Sequence, residues 1–128
     1  MIDVSCALIT LKSGETLVTQ RSSSMRLPLK WEFPGGKVEI GETAEGCVVR
    51  EIAEELSIGI VIRKRMPLHI YGEGSKAICL IPLLCEITHG EAKLTEHVAY
   101  QWLLPRELTG LDWAPADVPV LNDYLDSL

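Results

Sequence analysis

The chain has 128 residues, 47% of them hydrophobic and 23% charged, with a formal net charge of −6 at pH 7. That length and apolar content predict one domain spanning residues 1–128 around a sizeable core. The acidic balance, with no basic stripe, excludes a nucleic-acid polymer as partner. No apolar stretch is long enough to span a membrane.

Four cysteines, Cys6, Cys47, Cys79 and Cys85, form neither a CxxC pair nor a zinc spacing. All but Cys47 lie in apolar stretches, so they read as reduced core thiols. Met1-Ile2-Asp3-Val4 lacks a basic region followed by a sustained apolar one. Together these features predict a cytoplasmic protein. Its oligomeric state is read as monomer or homodimer.

Ile2 to Lys12 is apolar on both alternating faces, Val4, Cys6 and Leu8 against Ala7, Ile9 and Leu11. That pattern predicts a central strand covered on two sides. Ser13-Gly14-Glu15 turns the chain into a hairpin partner, Thr16 to Arg21. Ser22 to Lys30 reads as a loop long enough to face a substrate. Trp31 to Lys37 holds Pro34-Gly35-Gly36, whose exposed peptide groups can approach a phosphate or metal closely.

A helix is predicted from Thr43, a good N-cap, to about Ser57. Its apolar stripe reads Ala44, Val48, Val49, Ile52, Ala53 and Leu56. At roughly 100° per residue, Glu51, Glu54 and Glu55 fall within one arc, with Glu51 and Glu55 bordering the stripe. Arg50 falls just outside that arc, beside Glu54. Three carboxylates at the margin of a buried face repel one another, and they sit in the turns where the helix dipole disfavours negative charge. Such a cluster calls for cations, and its oxygens suit Mg²⁺ or Mn²⁺.

Downstream, Ile58 to Ile62, Leu68 to Tyr71 and Ala77 to Ile87 are β-rich, with Gly72-Glu73-Gly74-Ser75 as a turn before the last. In that last segment Cys79, Ile81, Leu83 and Cys85 alternate with Ile78, Leu80, Pro82 and Leu84. Pro82 cannot donate to a ladder, which predicts an edge or a bulge there. Thr88 to Thr95 reads as a polar loop, Ala99 to Leu103 as a strand and Pro105 to Leu108 as one helical turn. Ala116 to Leu128 is a second amphipathic helix. Strands between two well-separated helices predict an α/β/α sandwich with a mixed sheet.

The spacing Gly36, five residues, Glu42, seven residues, Arg50-Glu51-Ile52-Ala53-Glu54-Glu55 resembles the signature of the Nudix hydrolases, in their MutT-like branch. Ser57 departs from that signature, standing where the family has a glycine. Arg21, the run Glu32-Phe33-Pro34-Gly35-Gly36-Lys37, Glu96 with Trp102, and Pro115-Ala116-Asp117 extend the likeness over nearly the whole chain. The resemblance implies a Nudix-fold sandwich that hydrolyses nucleoside triphosphates to monophosphate and pyrophosphate, water attacking normally the β phosphorus.

It also implies roles. Glu54 and Glu55 would be metal ligands, completed by the Gly35 carbonyl, with Glu51 a further ligand or the holder of a water. Glu96 would be a metal ligand and a candidate general base. Arg50 would orient the carboxylates, and Arg21 and Lys37 would contact phosphate. Asp117 would read the base edge or else only cap the last helix. His97 reads first as structural, and among the tryptophans Trp113, in a loop, is the best candidate to stack on a base. Oxidised guanine (8-oxo-dGTP) is the family's default substrate. A cytosine triphosphate is the rival, because an ionised Asp117 accepts from an exocyclic amine. Another diphosphate-linked substrate is a further alternative. A non-hydrolytic nucleotide sensor of the same fold is the competing class, but such modules lose the glutamates this chain keeps.

Overall fold

The computed structural model describes Met1–Leu128. Eight strands form one mixed sheet: β1 (Ile2–Thr10), β2 (Thr16–Gln20), β3 (Trp31–Glu32), β4 (Gly35–Lys37), β5 (Gly59–Arg65), β6 (His69–Tyr71), β7 (Ile78–His89) and β8 (Ala99–Leu103). Three helices complete it: α1 (Ala44–Leu56), α2 (Pro105–Leu108) and α3 (Val118–Asp126), the last entered through a 3₁₀ turn at Pro115–Asp117.

At the centre β1 runs parallel to β7 over its whole length, from Ile2 opposite Ile78 to Thr10 opposite Glu86. Every other pairing is antiparallel. The two-sided apolar pattern of these strands builds two cores. Ala7, Ile9, Ile81, Leu83 and Cys85 face one core with Ala44, Val48, Ile52 and Leu56 of α1. Cys6, Leu8 and Leu80 face the other with Leu108, Val120, Leu121 and Tyr124. A sheet apolar on both faces must be covered on both, and the α/β/α sandwich follows.

Two local expectations are refined. Pro82, expected at an edge or a bulge, lies on an internal strand, at an interruption in the pairing along one of its sides. Its carbonyl accepts from the Met66 N–H at 2.9 Å, so its missing donor faces the same side. There β5 has ended at Arg65 opposite Leu83, and β6 starts at His69 opposite Leu80. The buried stripe of α1 contains Cys47, whereas Val49 and Ala53 turn outward. The glycine-rich run forms two short strands, because β3 pairs with β2 while β4 pairs with β1.

The caps of α1 fix its length. The Thr43 hydroxyl accepts from the Gly46 N–H at 3.0 Å. At the other end Ser57 takes the left-handed conformation, φ 59° and ψ 30°, and its N–H returns to the Ala53 carbonyl. The helix therefore stops at Leu56 and does not run on to Gly59. All four cysteines are buried and free.

Candidate active site

Arg50 organises the carboxylates of α1. Its guanidinium grips Glu42 with two bonds, Nε to Oε2 at 2.6 Å and Nη2 to Oε1 at 2.9 Å. Nη1 reaches Glu51 at 3.0 Å and Glu54 at 3.3 Å. This fork, helped by the Glu39 N–H, holds Glu42 down at about 2 and pushes Arg50 up. Arg50 thus positions carboxylates and points at no cleft of its own, in keeping with its place beside the glutamate arc. The glutamate at the start of the motif anchors the arginine.

Gly36 is needed where Glu51 lies. A Cβ built on it would stand 2.3 Å from the Glu51 Cδ, and one on Gly35 would stand 2.0 Å from the Ser5 carbonyl oxygen. The double glycine lets β4 press against β1 and lets the Glu51 carboxylate lie on β4. Glu51 is 17% exposed and Glu54 is 60% exposed. Glu55 is the most constrained of the three. Its Oε2 is buried without a hydrogen-bond partner. Burial first, then the neighbouring charges of Glu51, Glu32 and Glu96, push its carboxyl well above the usual carboxylate range.

Glu96 sits on a strap between β7 and β8. The Lys93 N–H donates to the Leu56 carbonyl at 2.9 Å, and the Thr95 hydroxyl donates to the Glu55 carbonyl, so one end is tied to the end of α1. At the other end the Val98 N–H donates to the Gln20 carbonyl at 3.0 Å. Glu96 itself is exposed, and its charge is felt at Glu55. No three His, Cys, Asp or Glu side chains converge at ligand spacing, and Arg50 engages Glu51 and Glu54. The donor set still fits a hard divalent cation: oxygen donors throughout, and an orphaned buried carboxylate oxygen on Glu55 that a cation would satisfy.

Beside this cluster opens a cleft of about 450 Å³. It collects Arg21, Gly35, Lys37 and Asp117 from three parts of the chain, and Gly36 separates it from Glu51. Glu51 flanks the cleft across Gly36, and none of the α1 glutamates lines it. Lys37 has no ion pair. Arg21 is braced, with Nη1 2.9 Å from Glu32 Oε1 and Nε donating to the Arg26 carbonyl.

Asp117 does not cap the last helix. Its Oδ2 accepts the Phe33 N–H at 2.8 Å, and α3 has no side-chain cap bond. It is 7% exposed, on the cleft wall. Burial raises its carboxyl to about 7, the Phe33 N–H partly opposing this, while Glu32 adds to the rise and Arg21 counters it.

Arg26, Tyr71 and Lys76 also line the cleft and were not singled out in the sequence. The turn around Gly72 gave no signal beyond its glycines, and only strand pairing brings it to β1. Trp113 is not free to stack on a base. It is buried, its ring centroid lies 4.8 Å from that of Phe33, and its Nε1 donates to the Leu108 carbonyl. His97 is buried too, with Nε2 2.7 Å from Glu32 Oε2.

Known proteins resemble this chain over nearly its whole length. The NUDIX domain model matches residues 1–124. The chain is 34% identical over 125 residues to the CTP pyrophosphohydrolase of Escherichia coli K12, covering 98% of this chain and 92% of that protein. It is 32% identical over 127 residues to the 8-oxo-dGTP diphosphatase of the same organism, covering 94% and 93%. The solution structure of the E. coli ORF135 protein superposes with a TM-score of 0.85 at 33% identity, over 98% of this chain and 89% of that one. The MutT protein from Methanosarcina mazei Go1 gives 0.85 at 29% identity, over 98% and 93%.

Proposed function

The chain belongs to the Nudix family of hydrolases, and from that premise we propose that it cleaves nucleoside triphosphates to monophosphate and pyrophosphate with divalent metal ions. The observation that carries this reading is one juxtaposition. A cleft lined by Lys37, Lys76 and the buried carboxyl of Asp117 abuts Glu51 of α1 across a single glycine. In a chain of net charge −6 such a cleft suits a phosphate chain at one end and a base at the other.

Water attacks the β phosphorus. The bond from that phosphorus to the oxygen bridging it to the α phosphorus breaks, and that oxygen leaves with the monophosphate. Bound Mg²⁺ or Mn²⁺ supplies charge neutralisation on the phosphate oxygens and polarises the attacking water. Glu51, Glu54, Glu55 and Glu96, with the Gly35 carbonyl, are the groups that would hold it. Arg50 keeps Glu51 and Glu54 in place. Glu96, exposed on the strap that Thr95 ties to the end of α1, is the group we assign to take the proton of the water. Lys37 and Arg21 orient the phosphates.

The base is read at Asp117, and the substrate we favour is 8-oxo-dGTP, whose removal would cleanse the nucleotide pool. A carboxyl near half-ionised at neutral pH can donate to an oxo group. The same half-ionised state favours the second reading, CTP or dCTP, whose exocyclic amine an ionised Asp117 accepts. A panel of triphosphates assayed with Mg²⁺, scoring pyrophosphate against phosphate, tests both. Excess chelator should abolish turnover and added Mg²⁺ or Mn²⁺ should restore it. Full activity in chelator, or release of phosphate alone, would overturn the proposal.

A further inference from the structure

Both neighbours of Glu96 in the chain make side-chain bonds. On its N-terminal side the Thr95 hydroxyl meets the last carbonyls of α1 at an exposed site. On its C-terminal side the His97 ring is buried and bonded to Glu32. His97 Nε2 lies 2.7 Å from Glu32 Oε2. The other oxygen of Glu32 accepts from Arg21. Glu32 therefore bridges the end of β2 to the strap through a buried side-chain bond at the residue adjacent to Glu96, whereas the backbone ties of the strap are made farther along, at Lys93 and Val98.

We propose that His97 is a positioning residue for Glu96: its buried bond to Glu32 fixes the register of the strap that presents Glu96 to the α1 glutamates. Thr95, Glu96 and Val98 lie in bends, and His97 is the one buried residue among them, so a shift of His97 would carry the adjacent Glu96 with it. Exposed Glu96 makes no hydrogen bond that could hold its own place. The proposal rests on the reading that Glu96 serves the hydrolysis.

The test is a cycle of His97→Leu and Glu96→Gln, with His97→Gln as the conservative variant. Each is assayed for kcat and KM with Mg²⁺, and the metal-free proteins are compared by amide hydrogen exchange. His97→Leu should lower kcat about 10-fold or more, with KM within about 3-fold. Exchange should rise at the strap amides around Glu96 and stay unchanged in α1. His97→Gln, which keeps a donor, should recover all but about 3-fold of kcat. In the Glu96→Gln background the leucine substitution should cost less than about 2-fold more.

Equal losses in both backgrounds, or strap exchange that does not change, would overturn the proposal. A fully active Glu96→Gln would overturn it through its premise, by removing Glu96 from the reaction. An impaired Glu96→Gln beside an unimpaired His97→Leu would overturn the positioning role alone. Where the leucine variant fails to fold, the glutamine variant is read by the same cycle. A 3-fold loss that vanishes beside Glu96→Gln then supports the proposal, and an additive one defeats it.

Discussion

The Glu51 carboxylate packs so closely on Gly36 that a Cβ there would stand 2.3 Å from Glu51 Cδ and 2.5 Å from Oε1. Glu51 cannot retreat freely, because Arg50 holds it at 3.0 Å. Gly36→Ala should therefore displace a carboxylate of the reaction site while leaving the cores intact. We expect kcat to fall about 10- to 100-fold and stability to fall by about 1–3 kcal/mol, the usual cost of overpacking. Kinetics and chemical denaturation check both. An alanine variant with wild-type kcat would mean that the placement of Glu51 does not matter to the chemistry.

Glu54 contrasts with Glu51 in being 60% exposed, with the 3.3 Å contact to Arg50 as its ion pair. An exposed pair of this kind contributes little to folding. Glu54→Gln should lower kcat at least about 100-fold, roughly 2.7 kcal/mol of barrier, and change stability by less than about 0.5 kcal/mol. A variant that unfolds would mark the glutamate as structural instead.

Much of this was legible in the chain because burial on two faces leaves a mark in sequence. The alternating sets of β1 and β7 each went to their own core, and Thr43 announced the start of α1. What was not legible depends on long-range pairing. Pro82 reads as an edge residue until β5 and β6 are seen to share one side of β7 and leave a gap between them. Nothing in the sequence pairs Asp117 with the Phe33 N–H, which β3 and β4 bring to it from 84 residues away. His97 reads as structural without a named partner until the strap is drawn over Glu32. Each side chain took a partner that no local pattern names.

Ser57 gives a stability prediction independent of catalysis. It holds a φ of 59° where the family signature has glycine, and its side chain is exposed. A non-glycine residue in that conformation costs about 1–2 kcal/mol. Ser57→Gly should raise stability by roughly 1 kcal/mol, the loss of unfolded-state restriction offsetting part of the gain. Activity should be unchanged. A less stable glycine variant would show that strain at this cap is already relieved.

The last prediction joins stability, pH and substrate choice at Asp117. Burial raises its carboxyl in the folded protein from 3.8 to about 7, whereas the unfolded chain ionises near the ordinary value. The unfolded state therefore binds fewer protons between these limits, and stability falls as pH rises. The stabilising share of Asp117 is full below about pH 4 and is lost by the time pH passes through about 7. Asn cannot titrate and can still accept the Phe33 N–H through its side-chain oxygen. The stability of wild type relative to Asp117→Asn should thus drop by a few kcal/mol, on the order of 2–4, between pH 4 and pH 8. The same titration should govern the base. As pH rises through about 7, wild type should lose kcat/KM for 8-oxo-dGTP relative to CTP, because the carboxyl stops donating and only accepts. Taking the ratio of two substrates cancels any effect of pH on the shared phosphate chemistry. In Asp117→Asn that ratio should become flat with pH and shift by about 10-fold or more at pH 7, within the roughly 1–3 kcal/mol that one base contact is worth. A ratio that neither shifts nor flattens for any base tested would leave Asp117 as a tether for the Phe33 backbone, with the base read elsewhere in the cleft.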